Sequence, residues 1–373
     1  MGPISNPDYI GETVGEHEMR LVNIRNVQEG AVLARPVLSA TGKVLLQAGV
    51  ALTASYIDRL YCLGFDVVFV EDAELDDVEI YVPLSVQTRE LAYQTVKKIG
   101  EYIADGEMGE LHVDLVRATV LRMIDDLMLS YDILGNLSEI RGYDDYTFHH
   151  SVNTTVLALI LGIALGYPEA KLLELGMGVL MHDVGKIRVP EDVLNKRAPL
   201  TAAEFEEIKK HPVYGFEILR RCEDLSILAA HVALQHQEKW DGSGYPRGLK
   251  EEKIHEYGRI AAVADVYEAL TSRRVYRGAV EPYQAYEYII ANSGCHFEPR
   301  LVKVFAKSIA IYPTGSGVIL SNGERGNVVR QNPSFPNRPH VRVFYHGEER
   351  LRQPIDYNLA EHPSLIIVGV ENF

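Results

Sequence analysis

The sequence predicts a mainly α-helical chain of several domains, with a small α/β unit on its N-terminal side and a small β-rich tail. Three observations carry this. Apolar residues recur at helical spacing between about residues 84 and 132. Apolar, small-residue stretches with helix-start and helix-stop signals fill residues 141–310. After residue 316 the pattern switches to short β runs.

Residues 1–18 are polar, contain Gly2, Pro3 and Pro7, and read as an unstructured leader without the basic-then-apolar order of a signal peptide. Residues 19–80 read as a small α/β unit. A hairpin over 36–46 turns at Thr41-Gly42, a short amphipathic helix covers 54–63, and a strand covers 66–70. The acidic run 71–79 then reads as a linker or exposed edge. Residues 84–140 form a helical connector with segments at about 84–105 and 111–132, separated by Asp105-Gly106. Val96, Ile99 and Ile103 share one face, as do Val116, Val120, Ile124 and Leu127. Such a pair completes a core or forms a homodimer interface, and spacing alone does not separate the two.

In residues 141–310, Thr201-Ala-Ala-Glu204 is a capping-box pattern that opens a helix. His211-Pro212 interrupts that helix, because proline lacks the backbone donor and disfavours α geometry just before it. In the tail, residues 316–373, β runs at 318–320, 341–345 and 365–370 join a tight turn at Asn322-Gly323 to predict a small barrel or sheet.

Composition narrows the function classes. The 373 residues are 47% hydrophobic and 24% charged, as in an ordinary globular chain. A net charge of −15 argues against nonspecific DNA or RNA binding, which needs a basic surface. The most apolar stretch, 151–166, is too short to span a membrane and contains Asn153, Thr154 and Thr155. Cys62, Cys222 and Cys295 lack zinc-motif spacing and read as reduced thiols of a cytoplasmic protein.

Six side chains of metal-ligand type run through 141–310: His150, the adjacent His182-Asp183, His211, His236 and Asp265. Histidine and carboxylate together suit divalent metals that activate water. In an adjacent His-Asp pair, one residue can ligate a metal while the carboxylate bridges to a second. His182 and Asp183 end an apolar helix over 170–180, Gly185 is a natural helix stop, and Lys186 follows as a point charge for a phosphate oxygen. His150 opens an apolar helix over 148–165. His149 points about 100° away on that helix and reads as a surface residue. His236 reads as a ligand because it adjoins the glycine-rich turn, and His231 as a histidine packed in the core or standing behind a ligand. Asp265 lies in an apolar small-residue helix, where an unpaired carboxylate is costly. A metal relieves that cost, and so does an ion pair to Arg259 or Lys186. Arg274 and Arg277, three apart near the end of that helix, can share a face and fork onto phosphate oxygens. Asp241-Gly-Ser-Gly-Tyr-Pro246 is a turn-rich loop after Trp240.

These residues together resemble the HD-GYP family, a branch of the HD phosphohydrolases. The resemblance rests on Tyr146-Thr-Phe-His-His-Ser-Val-Asn153, His182-Asp-Val-Gly-Lys186, His211-Pro212, His236-Gln-Glu-Lys-Trp-Asp-Gly-Ser-Gly-Tyr-Pro246, and Val263-Ala-Asp-Val-Tyr-Glu-Ala-Leu-Thr-Ser272 with Arg274 and Arg277. It covers roughly 140–310, a little under half the chain. It implies an all-helical HD-type domain whose divalent metals, iron or manganese before nickel, zinc or magnesium, serve hydrolysis of cyclic di-GMP to pGpG or GMP. Some members act on cyclic GMP-AMP. By the same resemblance, His150, His182, Asp183 and Asp265 hold one metal, and Asp183 bridges to a second held by His211 and His236. Lys186, Arg274 and Arg277 bind the phosphates, a metal-bridging hydroxide attacks phosphorus, and Gly244, Tyr245 and Pro246 form a loop linked to diguanylate cyclase (GGDEF) partners. Two departures stand out. Gln237 replaces the second histidine of the usual pair and implies a weak neutral oxygen ligand. Tyr146 occupies the place where three-metal members carry a glutamate, so two metals at most are expected. Gln237 also raises an alternative, a weakly active or inactive protein that senses cyclic di-GMP or docks diguanylate cyclases.

Overall fold

The computed structural model describes residues 19–39, 44–65, 67–78, 83–104, 113–129, 146–196, 198–272 and 280–370. The N-terminal unit comprises β1 (Met19–Asn23), β2 (Val37–Leu38), β3 (Val44–Leu46), α1 (Ala54–Cys62) and β4 (Val67–Glu71). β1 pairs antiparallel with β4, and β2 with β3. The hairpin expected over 36–46 is therefore present as the β2–β3 pair, while its Thr41-Gly42 turn lies outside the described residues. Thr53 caps α1 by accepting a hydrogen bond from the Tyr56 amide at 3.3 Å.

The acidic run after β4 is more than a linker. Its two apolar members, Leu75 and Val78, are buried with Met19, Leu21, Phe69 and Phe344 of the tail. Two of its acids, Glu74 and Asp77, are exposed and pair across to the tail. Arg342 donates to both oxygens of Asp77, at 2.5 and 2.8 Å, and also to Asp356; Arg350 reaches Glu74. Acidity hid the three-residue spacing of Leu75 and Val78, which puts both on one side of a short turn.

Among the described residues, nine of the next eleven helices build a single core. They are α2 (Val86–Ala104), α3 (Val113–Leu129), α4 (Tyr146–Ala164), α5 (Glu169–Leu180), α6 (Glu191–Leu194), α7 (Ala202–Ile208), α8 (His211–Leu219), α9 (Ile227–Gln235), α10 (Glu256–Thr271), α11 (Pro282–Ala291) and α12 (Pro299–Ser308); α6 and α7 bury nothing and lie outside it. α2 and α3 contribute Val96, Ile99, Ile103, Val116, Val120, Ile124 and Leu127 to that core, one of the two roles their spacing left open. α4 is buried on every side over residues 149–162, as expected of a helix apolar all round. Thr201 and Glu204 form the expected capping box on α7, and Pro212 sits in the first turn of α8.

The tail is a five-stranded antiparallel sheet of order β8-β7-β6-β5-β9. Its strands are β5 (Gly317–Leu320), β6 (Glu324–Arg330), β7 (His340–His346), β8 (Glu349–Asn358) and β9 (Ile367–Val370). Gly323 makes the predicted turn between β5 and β6 with φ +85°, a conformation glycine adopts without steric cost. Among the described residues, no helix is long and apolar enough to cross a membrane.

Candidate metal centre

The end of α5, the first turn of α8, the residue after α9 and the middle of α10 converge on His150 near the start of α4. His150, His182, Asp183, His211, His236 and Asp265 are all buried, and their ligand atoms form overlapping clusters within 4.8 Å. The carboxylate of Asp183 stands at the centre. Its Oδ2 lies 3.5 Å from His150 Nε2 and 3.4 Å from His182 Nε2; its Oδ1 lies 3.5 Å from His211 Nε2 and 3.7 Å from His236 Nε2. One carboxylate thus faces two pairs of imidazoles, one pair per oxygen.

The backbone fixes which ring nitrogen points inward. His182, His211 and His236 each carry Nδ1 beside the carbonyl three residues earlier: Val179 at 2.7 Å, Ile208 at 2.7 Å and Ala233 at 2.9 Å. A carbonyl only accepts, so Nδ1–H donates and each Nε2 keeps its lone pair for the centre. The Nε2 atoms of His211 and His236 then face each other at 3.1 Å. Two lone pairs at that separation repel unless a cation lies between or beside them. Asp183 Oδ1 and His182 Nε2 are moreover buried without a hydrogen-bond partner among the described residues. Buried polar atoms are ordinarily satisfied, so the donor set fits divalent metal ions.

Charge is distributed unevenly across the centre. Burial opposes a proton on His150, but the carboxylates of Glu268 and Asp265 outweigh it and raise its pKa to about 10. Burial lowers His211 to about 4 and, with its neighbours His182 and His211, lowers His236 to about 3. Asp183 also loses solvation, yet the cationic Lys186 and the imidazoles hold its carboxyl well below the usual carboxylate range. Lys186 donates to Asp183 Oδ2 at 2.5 Å. Asp265 is likewise held low despite burial, with His150 as its first partner.

Several expectations change. His149 is not on the surface: only 8% exposed, it packs against Tyr93 with ring centroids 4.2 Å apart. The two histidines do diverge, but α2 covers the second face of α4 as well. Asp265 pairs with neither cation considered for it, since Arg259 goes to Glu298 and Lys186 to Asp183. Its Oδ1 lies 3.0 Å from His150 Nε2, and its Oδ2 accepts from Gln237 Nε2 at 2.9 Å. Gln237 therefore turns its nitrogen, not the expected oxygen, toward the centre. Gly185 does not serve as a left-handed helix stop. Its hydrogen replaces a Cβ that would lie 2.0 Å from the His211 carbonyl and 2.4 Å from Gly215 N, so it lets α8 approach. His231 packs on Phe216, away from the cluster, as expected. Arg274 and Arg277 lie outside the described residues.

Two carboxylates were missed from sequence. Glu268, one helical turn after Asp265, accepts from His150 Nδ1, from Ser272 Oγ at 2.5 Å and from Asn153 Nδ2 at 3.5 Å. A second acid on the buried face of an apolar helix was the available signal. A carboxylate behind a ligating histidine orients the ring and raises its basicity. Glu268→Gln is accordingly expected to weaken metal binding roughly 10–100-fold while leaving the fold intact; a metal titration of the metal-free variant measures this. Glu238 is the other. Its two oxygens accept the amides of Arg247 and Leu249, at 2.8 and 2.9 Å, and so clasp the Gly244-Tyr245-Pro246 loop. The loop folds back on itself: Tyr245 N donates to Gln237 O at 3.1 Å, and a Cβ on Gly244 would lie 2.3 Å from Lys239 N.

Comparison with known proteins agrees with this geometry. Residues 133–301 match the HD domain, which includes all six clustered residues, and residues 317–373 match the KOW domain associated with HD domain. A cyclic di-GMP phosphodiesterase of Pseudomonas aeruginosa is 35% identical over 273 residues, 72% of this chain. Residues 133–301 are thus an HD domain, of the HD-GYP kind. A cyclic di-GMP phosphodiesterase of Thermotoga maritima is 40% identical over 184 residues, 49% of this chain. A 3′3′-cGAMP-specific phosphodiesterase of Vibrio cholerae is 44% identical over 125 residues, 33% of it. The matched segments span 64%, 50% and 24% of those three relatives. In fold, the chain resembles the HDG"Y"P protein Bd1817 from Bdellovibrio bacteriovorus, with a TM-score of 0.50 at 14% identity, over 77% of this chain and 98% of that one.

Proposed function

We propose that this protein is a metal-dependent phosphodiesterase that hydrolyses cyclic di-GMP to pGpG, GMP or both. The observation that carries the reading is the Asp183 carboxylate shared between two pairs of inward-facing imidazoles. His150, His182, Asp183 and Asp265 would hold one divalent ion; Asp183, His211 and His236 would hold the other. Nitrogen donors combined with carboxylates suit iron or manganese. Bound there, two such ions would supply Lewis-acid activation of water and neutralise charge on a phosphodiester.

The chain's own residues do the rest. Nδ1–H bonds to backbone carbonyls hold three imidazoles in the ligating tautomer, and Glu268 does the same for His150. Lys186 is half-buried beside Asp183, so its ammonium can move to a phosphate oxygen once the carboxylate is otherwise neutralised. Arg274 and Arg277 are proposed as further phosphate contacts. The names of the Pseudomonas and Thermotoga relatives support cyclic di-GMP as substrate, and that of the Vibrio relative makes cyclic GMP-AMP the competitor to test.

One observation favours a second reading. Gln237 stands bonded to Asp265, where a histidine could have added a ligand. A weakened second site would leave a cyclic di-GMP sensor or a docking partner for diguanylate cyclases. Incubating the protein with cyclic di-GMP and Mn(II) or Fe(II), with products resolved, separates the two. Appearance of pGpG or GMP from cyclic di-GMP, faster than cleavage of cyclic GMP-AMP, is the expected result; nucleotide bound but recovered intact would favour the sensor.

A further inference from the structure

Gln237 lies between two groups whose chemistry fixes its orientation. The amide presents Nε2 to the Asp265 carboxylate and donates to its Oδ2 at 2.9 Å. That leaves Oε1 facing away, where Tyr245 Oη donates to it at 3.0 Å. The amide carbonyl, its one metal-competent atom, is thereby occupied. The chain of bonds runs in one sense, from the Tyr245 hydroxyl through the Gln237 amide to the Asp265 carboxylate. Asp265 Oδ2 is engaged by this chain, while Oδ1 stays beside His150 Nε2 at 3.0 Å. The donating loop is itself rigidly held by Glu238 and by the Tyr245 amide.

We infer that Gln237 is a positioning residue and not a metal ligand: it couples the Tyr245 hydroxyl to Asp265 and so fixes the carboxylate oxygen that Asp265 turns to the metal centre. This rests on the metal-centre reading above and adds a role for Tyr245, whose ring also lies edge-on to His211 at 6.4 Å.

The two assignments of Gln237 predict opposite signs for Tyr245→Phe. If Gln237 positions Asp265, losing the hydroxyl frees the amide to turn and weakens metal binding. If Gln237 is a ligand, losing the hydroxyl releases Oε1 and leaves metal binding unchanged or tighter. Metal-free full-length protein would be titrated with Mn(II), free ion being read by its electron paramagnetic resonance signal. The set comprises wild type, Tyr245→Phe, Gln237→Met, the double variant and Asp183→Ala. Each single substitution in the chain is expected to weaken binding roughly 10-fold, the usual size for a partner behind a ligand. The double variant should be no weaker than Gln237→Met, because both changes break one chain. Melting of the metal-free proteins separates a purely structural role, which would lower the transition but not the affinity. Tyr245→Phe suffices for the sign test if Gln237→Met does not fold. Unchanged or tighter binding in Tyr245→Phe, or fully additive losses, would overturn the inference. Wild type that takes up no Mn(II) would overturn the metal-centre reading itself, whereas loss of binding in Asp183→Ala alone would overturn only the role of the amide.

Discussion

Asp183→Ala is expected to give a folded protein that binds no metal tightly and shows no turnover of cyclic di-GMP. Among the described residues, Asp183 is the only one whose two oxygens each face a separate imidazole pair, at 3.4–3.7 Å. Removing it deletes one anionic donor from both sites at once. Four imidazoles and Asp265 remain, but nothing then holds two cations close together against their mutual repulsion. Substituting a mere partner of a ligand costs roughly 10–100-fold in affinity, so loss of a shared ligand should exceed that range. Lys186 would also be left without its 2.5 Å partner, though it is half-exposed and can turn to solvent. The fold itself should survive, because the surrounding helices are held by an apolar core that Asp183 does not join. Metal analysis and a product-resolved assay on the same preparation check this. Retained turnover would show that another group bridges the centre.

The second large effect concerns packing. Gly185→Ala is expected to destabilise the helical domain by about 3 kcal/mol, at the upper end of what overpacking costs. The new methyl would lie 2.0 Å from the His211 carbonyl and 2.4 Å from Gly215 N, and both are backbone atoms that cannot swing away. The first turn of α8 must then retreat, taking the His211 ring out of line with Asp183. For a domain of this size, that stability loss is a fall of about 10 °C in melting temperature. Metal binding at the His211–His236 side should fall with it. By contrast, alanine at Gly30 or Gly49 meets nothing within 4 Å and strains only a positive-φ turn. A melting curve for Gly185→Ala within about 2 °C of wild type would mean that α8 packs less closely than it does here.

Much of the site was legible because its chemistry is local in sequence. An adjacent His-Asp pair at a helix end, a His-Pro helix start and an acid in an apolar helix each carry a signal of their own. The structure brings all six residues together. What escaped was relational. Nothing in residues 84–104 announces that α2 lies over His149, so from sequence the second face of α4 reads as solvent-facing. Glu268 stood one turn beyond Asp265, but which ring it backs depends on how α10 crosses α4. Gln237 offered two chemically different ends, and only Asp265 and Tyr245 decide which end points inward. Gly185 carried the right residue for a different reason, since a close helix approach and a helix stop leave the same letter. The acidic run after β4 hid Leu75 and Val78, whose partner Phe344 lies some 270 residues further along the chain.

The most direct test is the metal content of anaerobically purified protein, measured per chain and followed by a return of metal to the chelated form. Two equivalents of divalent ion, removable by chelation and restored together with cyclic di-GMP cleavage by Mn(II) or Fe(II), is the predicted result. A chain that holds no ion and regains none, with Asp183 and the four histidines intact, would contradict the two-metal centre on which the proposed function stands.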